Sequence, residues 1–290
     1  MGSFVLEEIK KLTRSSSMWI TLALLIGIVV LDGFFAIQQY NEELAATLSI
    51  PKDEVGYYTE DPWIGVATLY NSWIGGRPSG VFPLLFYFLM PAYCVIPFAW
   101  SYLSEKKSGY IKLICCKIGK SAYFTAKYIS GFISGFLVVV IPQLLSLLLV
   151  SCFVPAYMPD MNYELYYQVD MTKMLGDLYY TLPGLYVALY VLTSGLFGGV
   201  WATIPIAVSM FTNNKFSALF APYIVLLFII NTAERALVLR EYFTVSPLNF
   251  IRPTMQGQEE HGWIFGVELL LLAAGSFLIV LLRGRKNDVF

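Results

Sequence analysis

Ile114-Cys-Cys-Lys-Ile-Gly-Lys-Ser121 closes on the Gly-Lys-Ser of a phosphate-binding loop. That chemistry needs another glycine where this chain has Ile114, and a strand before and a helix after it within a soluble α/β sheet. The flanks here are apolar runs, so the stretch is not a nucleotide site. His261 follows Glu260 but has no second histidine to complete a zinc-protease pair, and no Gly-x-Ser-x-Gly elbow occurs. The cysteines, Cys94, Cys115, Cys116 and Cys152, lack metal-ligand spacing and read as small apolar fillers. No catalytic constellation, bound metal or cofactor is expected in this chain.

Two carboxylates stand out because they interrupt apolar runs, Asp32 and Glu268. An intramembrane acid is costly and faces either a cavity or a partner. One reading is a substrate or cation contact near the mouth of a pathway; the other is a carboxylate snorkelling outward or bonded to a neighbouring helix.

The elements that must position these residues are the apolar runs themselves. The chain has 290 residues, 57% hydrophobic and 13% charged, against roughly 25% charged in an average globular protein. Mean hydropathy is +0.65. A chain this size cannot hide every apolar run in one water-soluble core. The composition predicts an all-α polytopic membrane protein, a single transmembrane domain over residues 1–290. The net charge of −1 gives no reason to expect nucleic acid as a partner.

Six spans are predicted, over 18–37, 81–103, 128–153, 182–211, 216–231 and 263–282. Leu182–Phe211 carries no charge; two spans would need ~40 residues plus a turn, so it counts as one. Gly131-x-x-x-Gly135 and Gly195-x-x-x-Gly199 suit close helix contacts. Ahead of the first span, Phe4, Leu6, Ile9 and Leu12 recur at roughly helical spacing, which predicts an amphipathic helix on the membrane surface. Between the fifth and sixth spans, Glu234–Gly262 is semi-apolar and broken at Pro247 and Pro253, as short re-entrant or interfacial helices would be.

Lysine and arginine asymmetry sets the orientation. The N-terminal lead, the segment 104–127, the loop at Thr212 and the tail carry thirteen of the nineteen basic residues, whereas fourteen of the twenty acids lie in the other segments. Both termini are therefore expected to be cytoplasmic, in a multi-pass protein of a bacterial-type cell membrane. The tyrosines of the opposite segments, Tyr57, Tyr58, Tyr163, Tyr166, Tyr167, Tyr179 and Tyr180, suit an interfacial aromatic belt.

The most basic segment lies between the second and third spans. It reads Glu105-Lys-Lys-Ser-Gly109, then Tyr110-Ile-Lys-Leu, a short basic run, and Lys127 leading into the third span. This loop, with the six-span layout around it, resembles the ABC-type-2 permeases, the membrane subunits of ATP-driven exporters. Members show an acid, a turn with glycine, a short coupling helix and a basic re-entry. Where many have a Pro-Ile-Ser-Arg-like tetrad, this chain has Lys117-Ile-Gly-Lys120, so its subfamily stays open. The resemblance implies that 104–127 couples to a separate ATP-binding cassette subunit through Glu105, Lys106, Lys107, Gly109, Tyr110, Lys112 and Lys117. ATP and Mg would reside on that subunit. It also implies a second permease copy or paralogue, surrounding membrane lipids, and export of an amphipathic peptide, lipid-like molecule or drug. The alternative is a membrane immunity or sensor protein that binds a toxic peptide at its acidic surface without moving it.

Overall fold

Runs with few prolines stay helical over their whole length here, and runs with several prolines break. The computed structural model describes residues 2–49, 67–77, 80–161, 167, 169–212, 214–230, 232, 246–251 and 259–286. Among them every regular element is a helix. Four helices are long and apolar enough to cross a membrane: Ser16–Ala46, Lys120–Ser151, Pro183–Val208 and Gly262–Gly284.

The chain opens with α1 (Gly2–Thr13) and α2 (Ser16–Ser49). α2 continues well past the expected end at Ile37, because Gln38 donates to Glu42 and Gln39 to Glu43, each at 2.9 Å. Such i,i+4 bonds stabilise a helix by ~0.2–0.5 kcal/mol apiece. After α3 (Leu69–Ser72), the expected second span is helical in three pieces, α4 (Val81–Phe88), α5 (Met90–Tyr93) and α6 (Ala99–Lys107). Pro91 opens α5 and Pro97 immediately precedes the turn into α6. Proline lacks an N–H and its ring crowds the carbonyl four residues back, so it suits a first turn and weakens an interior; α8 and α10 each continue through one interior proline, Pro142 and Pro205.

α7 (Tyr110–Ile118) leads into α8 (Lys120–Ser151), which starts before the expected Tyr128 and so takes Lys127 into the helix. After α9 (Gly176–Thr181), α10 (Pro183–Val208) is one continuous helix, as expected for Leu182–Phe211. The expected fifth span is α11 (Lys215–Val225) followed by a π-helical turn, Leu226–Ile230. Its apolar part, Phe216–Phe228, is shorter than the four long apolar helices. Of the broken segment before the last span, the described part is α12 (Pro247–Phe250), buried through Leu248 and Phe250; the rest lies outside the described residues. α13 (Gly262–Lys286) closes the chain, and its Phe265 ring meets Phe250 at 5.6 Å.

The core is the crossing of α8 and α10, where the two Gly-x-x-x-Gly runs face each other. A Cβ added at Gly135 would collide with the Gly198 carbonyl and the Ala202 methyl. Gly199 sits against the Phe132 ring, and Gly195 against Phe136 and Val140. Small residues here let two backbones approach, which is how apolar helices gain contact when no water is available to drive them together. α2 packs on the same helix, with Leu149 seated over Gly33.

Candidate functional site

The basic loop folds around two glycines. Gly109 has φ +73° and Gly119 φ +83°, and together they bracket the nine residues of α7. A side chain in this left-handed region costs roughly 1–2 kcal/mol, so glycine is what allows both corners. Ile111 anchors α7 at 4% exposure, while Leu113 is 69% exposed. Lys112, Cys116 and Lys117 share that outward exposure, as do Lys106 and Lys107 at the end of α6. The loop thus presents a short basic helix with one apolar side chain at its centre.

Glu105 points the other way. Its side chain is 14% exposed and faces inward, where Lys127 donates to it at 2.7 Å and the Tyr123 hydroxyl at 2.5 Å. Lys127 has no exposed surface. Its ammonium also donates to Glu8 at 2.5 Å and to the Ser101 hydroxyl at 2.7 Å, and it lies 5.2 Å from the Phe98 ring centroid. Three donated bonds exhaust the three protons of an ammonium, which is what makes full burial of this charge tolerable.

Glu8 reaches Lys127 because Phe4, Glu8 and Leu12 form one buried stripe on α1. That face packs on α8, and the Phe4 and Tyr123 rings meet at 6.1 Å. Lys11, one turn from Glu8, donates to it at 2.5 Å and lies 3.6 Å from Glu105. It also donates to the Tyr110 hydroxyl at 3.3 Å, with the Tyr110 ring centroid 4.7 Å away. Burial works to lower the Lys11 pKa. The bond and charge of Glu8, the charge of Glu105 and the bond to Tyr110 outweigh it and hold the ammonium above the ordinary lysine value. Four charged groups from α1, α6 and α8 therefore close into one balanced cluster, which touches the first residue of α7.

Of the residues singled out in the sequence, Glu105 and Tyr110 enter this cluster, Gly109 forms the corner beside it, and Lys106, Lys107, Lys112 and Lys117 lie on the exposed side. Asp32 belongs to a different place. It is fully buried on α2 and paired with Arg77, whose guanidinium donates to the Asp32 carboxylate at 3.2 Å, to its carbonyl at 3.1 Å and to Gln39 at 3.0 Å. Glu268 lies half-buried on α13, so the two acids stand on separate helices and the Asp32 ion pair goes to Arg77. Tyr57, Tyr58, Tyr163 and Tyr166 lie outside the described residues. Tyr167, Tyr179 and Tyr180 are buried rather than belted at a surface: Tyr179 meets Tyr186 edge-on at 5.1 Å, and Tyr186 lies 5.9 Å from Tyr190.

Glu8, Tyr123 and Arg77 have no role in the sequence reading, and Lys127 figures there only as the basic lead into the third span. Glu8 carried a signal, since it occupies the apolar stripe four residues from both Phe4 and Leu12. Arg77 is seven residues beyond Tyr70 in a loop, and its meeting with Asp32 depends on tertiary structure alone. Near α9, Lys173 pairs with Glu260 at 3.1 Å, and Glu260 accepts the Met174 N–H at 3.2 Å. Burial raises the Glu260 carboxyl above the ordinary glutamate value, against the opposing pull of Lys173 and the Met174 N–H.

The chain was compared with family models, with curated proteins and with solved structures, and none of the three gave a match.

Proposed function

We propose that this chain is the permease subunit of an ATP-driven exporter, and that α7 is the helix through which a separate ATP-binding cassette subunit moves it. The observation that carries this reading is α7 itself: nine residues between two left-handed glycines, anchored by Ile111 and exposed at Leu113 among lysines. A rigid helix on two glycine corners can receive a push and pass it to α6 and α8 as a tilt of packed elements. The outward Leu113 suits an apolar recess in an acidic rim.

On this reading α1 lies along the cytoplasmic face, and the broken α4–α6 segment and the short α11 complete six spans with the four long helices. Both termini are cytoplasmic, in the cell membrane of a bacterial-type cell. ATP and Mg bind the partner subunit, and a second permease copy or paralogue completes the path. The passenger class is an amphipathic peptide, lipid-like molecule or drug.

Purification of the solubilised protein from its native membrane tests the reading. An ATP-binding subunit should accompany it, with ATPase activity stimulated by amphipathic peptides or drugs. Recovery without such a subunit, or an ATPase insensitive to the permease, would remove the proposal.

A further inference from the structure

The charged cluster at the base of α8 consists of two pairs that can separate without stranding a charge. Glu8 and Lys11 both ride on α1, 2.5 Å apart. Glu105 and Lys127 both belong to the α6–α8 base, 2.7 Å apart. In the docked arrangement each ammonium also reaches across to the other pair, Lys127 to Glu8 at 2.5 Å and Lys11 to Glu105 at 3.6 Å. Withdrawal of α1 takes one neutral pair with it and leaves the other behind. Lys127 would keep Ser101 and Glu105, and Glu105 would keep the Tyr123 hydroxyl. An ordinary buried ion pair resists separation because an uncompensated charge is left inside; here separation costs the Lys127–Glu8 bond but leaves no net charge behind.

The remaining hold on α1 is a short apolar stripe, with Val5 partly buried against the core. Phe4 and Leu12 are its buried apolar side chains, and the Leu6 side chain is 60% exposed. At the other end, the Lys11 ammonium rests on Tyr110, the first residue of α7.

We infer that α1 is a releasable brace, a two-state element that docks on α6 and α8 by sharing two ion pairs and reads the position of α7 through the Lys11–Tyr110 contact. When α7 pivots on Gly109 and Gly119, Tyr110 moves away from Lys11 and the balance shifts toward release. Docked, α1 ties the start of α2 to the base of α8; released, it frees the two to move apart. This device concerns the chain alone and stands whether or not α7 meets an ATPase.

Thiol labelling of the full chain in membranes tests it. In a background with Cys94, Cys115, Cys116 and Cys152 changed to alanine, Leu12→Cys reports on the α1 face and Val138→Cys on the bundle core; Phe4→Cys is a second reporter on the α1 face. Adding Glu8→Gln should raise maleimide labelling at position 12 or 4 roughly tenfold or more, the scale of one charge-assisted hydrogen bond. Glu105→Gln should not raise it, because Glu8 is then the one carboxylate on Lys127 and withdrawal of α1 would strand that ammonium. Position 138 should stay protected in both. Continued protection of positions 12 and 4 in Glu8→Gln would overturn the inference. So would an equal rise in the two variants, or exposure of position 138 together with them, since either marks a general loosening rather than release of α1.

Discussion

Lys127 and Glu8 stand 119 positions apart in the chain, yet the ammonium of one donates to the carboxylate of the other at 2.5 Å with both side chains out of solvent. That bond joins the first helix to the base of α8. Lys127→Met would leave Glu8 and Glu105 with Lys11 as their single cation. The expected loss is about 3–5 kcal/mol, the cost of breaking a buried pair from one side. Thermal unfolding of the purified protein should show a far larger fall for Lys127→Met than for Glu105→Gln.

The α8–α10 crossing should reject even one methyl group. Gly135→Ala brings a Cβ onto the Gly198 carbonyl, and a destabilisation of about 1–3 kcal/mol is expected from overpacking. Gly27→Ala on α2 and Gly266→Ala on α13 meet open space and should be neutral, or stabilise by up to ~1 kcal/mol through helix propensity. Denaturation midpoints of the three variants separate the cases.

These two sites show what sequence could and could not reveal. The Gly-x-x-x-Gly runs and the unbroken length of α10 follow from local composition, since glycine spacing and the absence of charge are features of one helix. The break of the second span is encoded locally as well, in Pro91 at the start of α5 and Pro97 just before α6. A short helix after Gly109 is expected from the family resemblance, whereas the second corner at Gly119 comes from its backbone, with φ +83°. The partners of Lys127 and Asp32 were not legible, because each pairing joins residues distant in the chain. The same holds for the tyrosines, whose composition suits an interface equally well as the buried stack that Tyr179, Tyr186 and Tyr190 form.

Asp32 and Arg77 should behave as a unit. A double-mutant cycle with Asp32→Asn and Arg77→Gln is expected to return a coupling of about 1–3 kcal/mol, as for contacting charged residues. Coupling near zero would show that Arg77 does not hold the carboxylate.

Glu260 gives the acidic end a pH dependence. Its folded carboxyl keeps a proton to higher pH than the ordinary value of 4.5, chiefly because it is buried. The unfolded chain releases that proton first, so the contribution to stability is present at low pH and is lost as pH rises from 4.5 through the raised value. Melting curves across this range should show wild type losing ground to Glu260→Gln as pH increases.

The central claim is that α7 meets an ATP-binding subunit, and site-specific photocrosslinking in intact native membranes tests it most directly. A photoreactive residue at position 113 should join the chain to an ATP-binding cassette protein, and the same probe at the buried position 138 should not. No crosslink from position 113, or one only to a protein without a nucleotide-binding fold, would contradict the account.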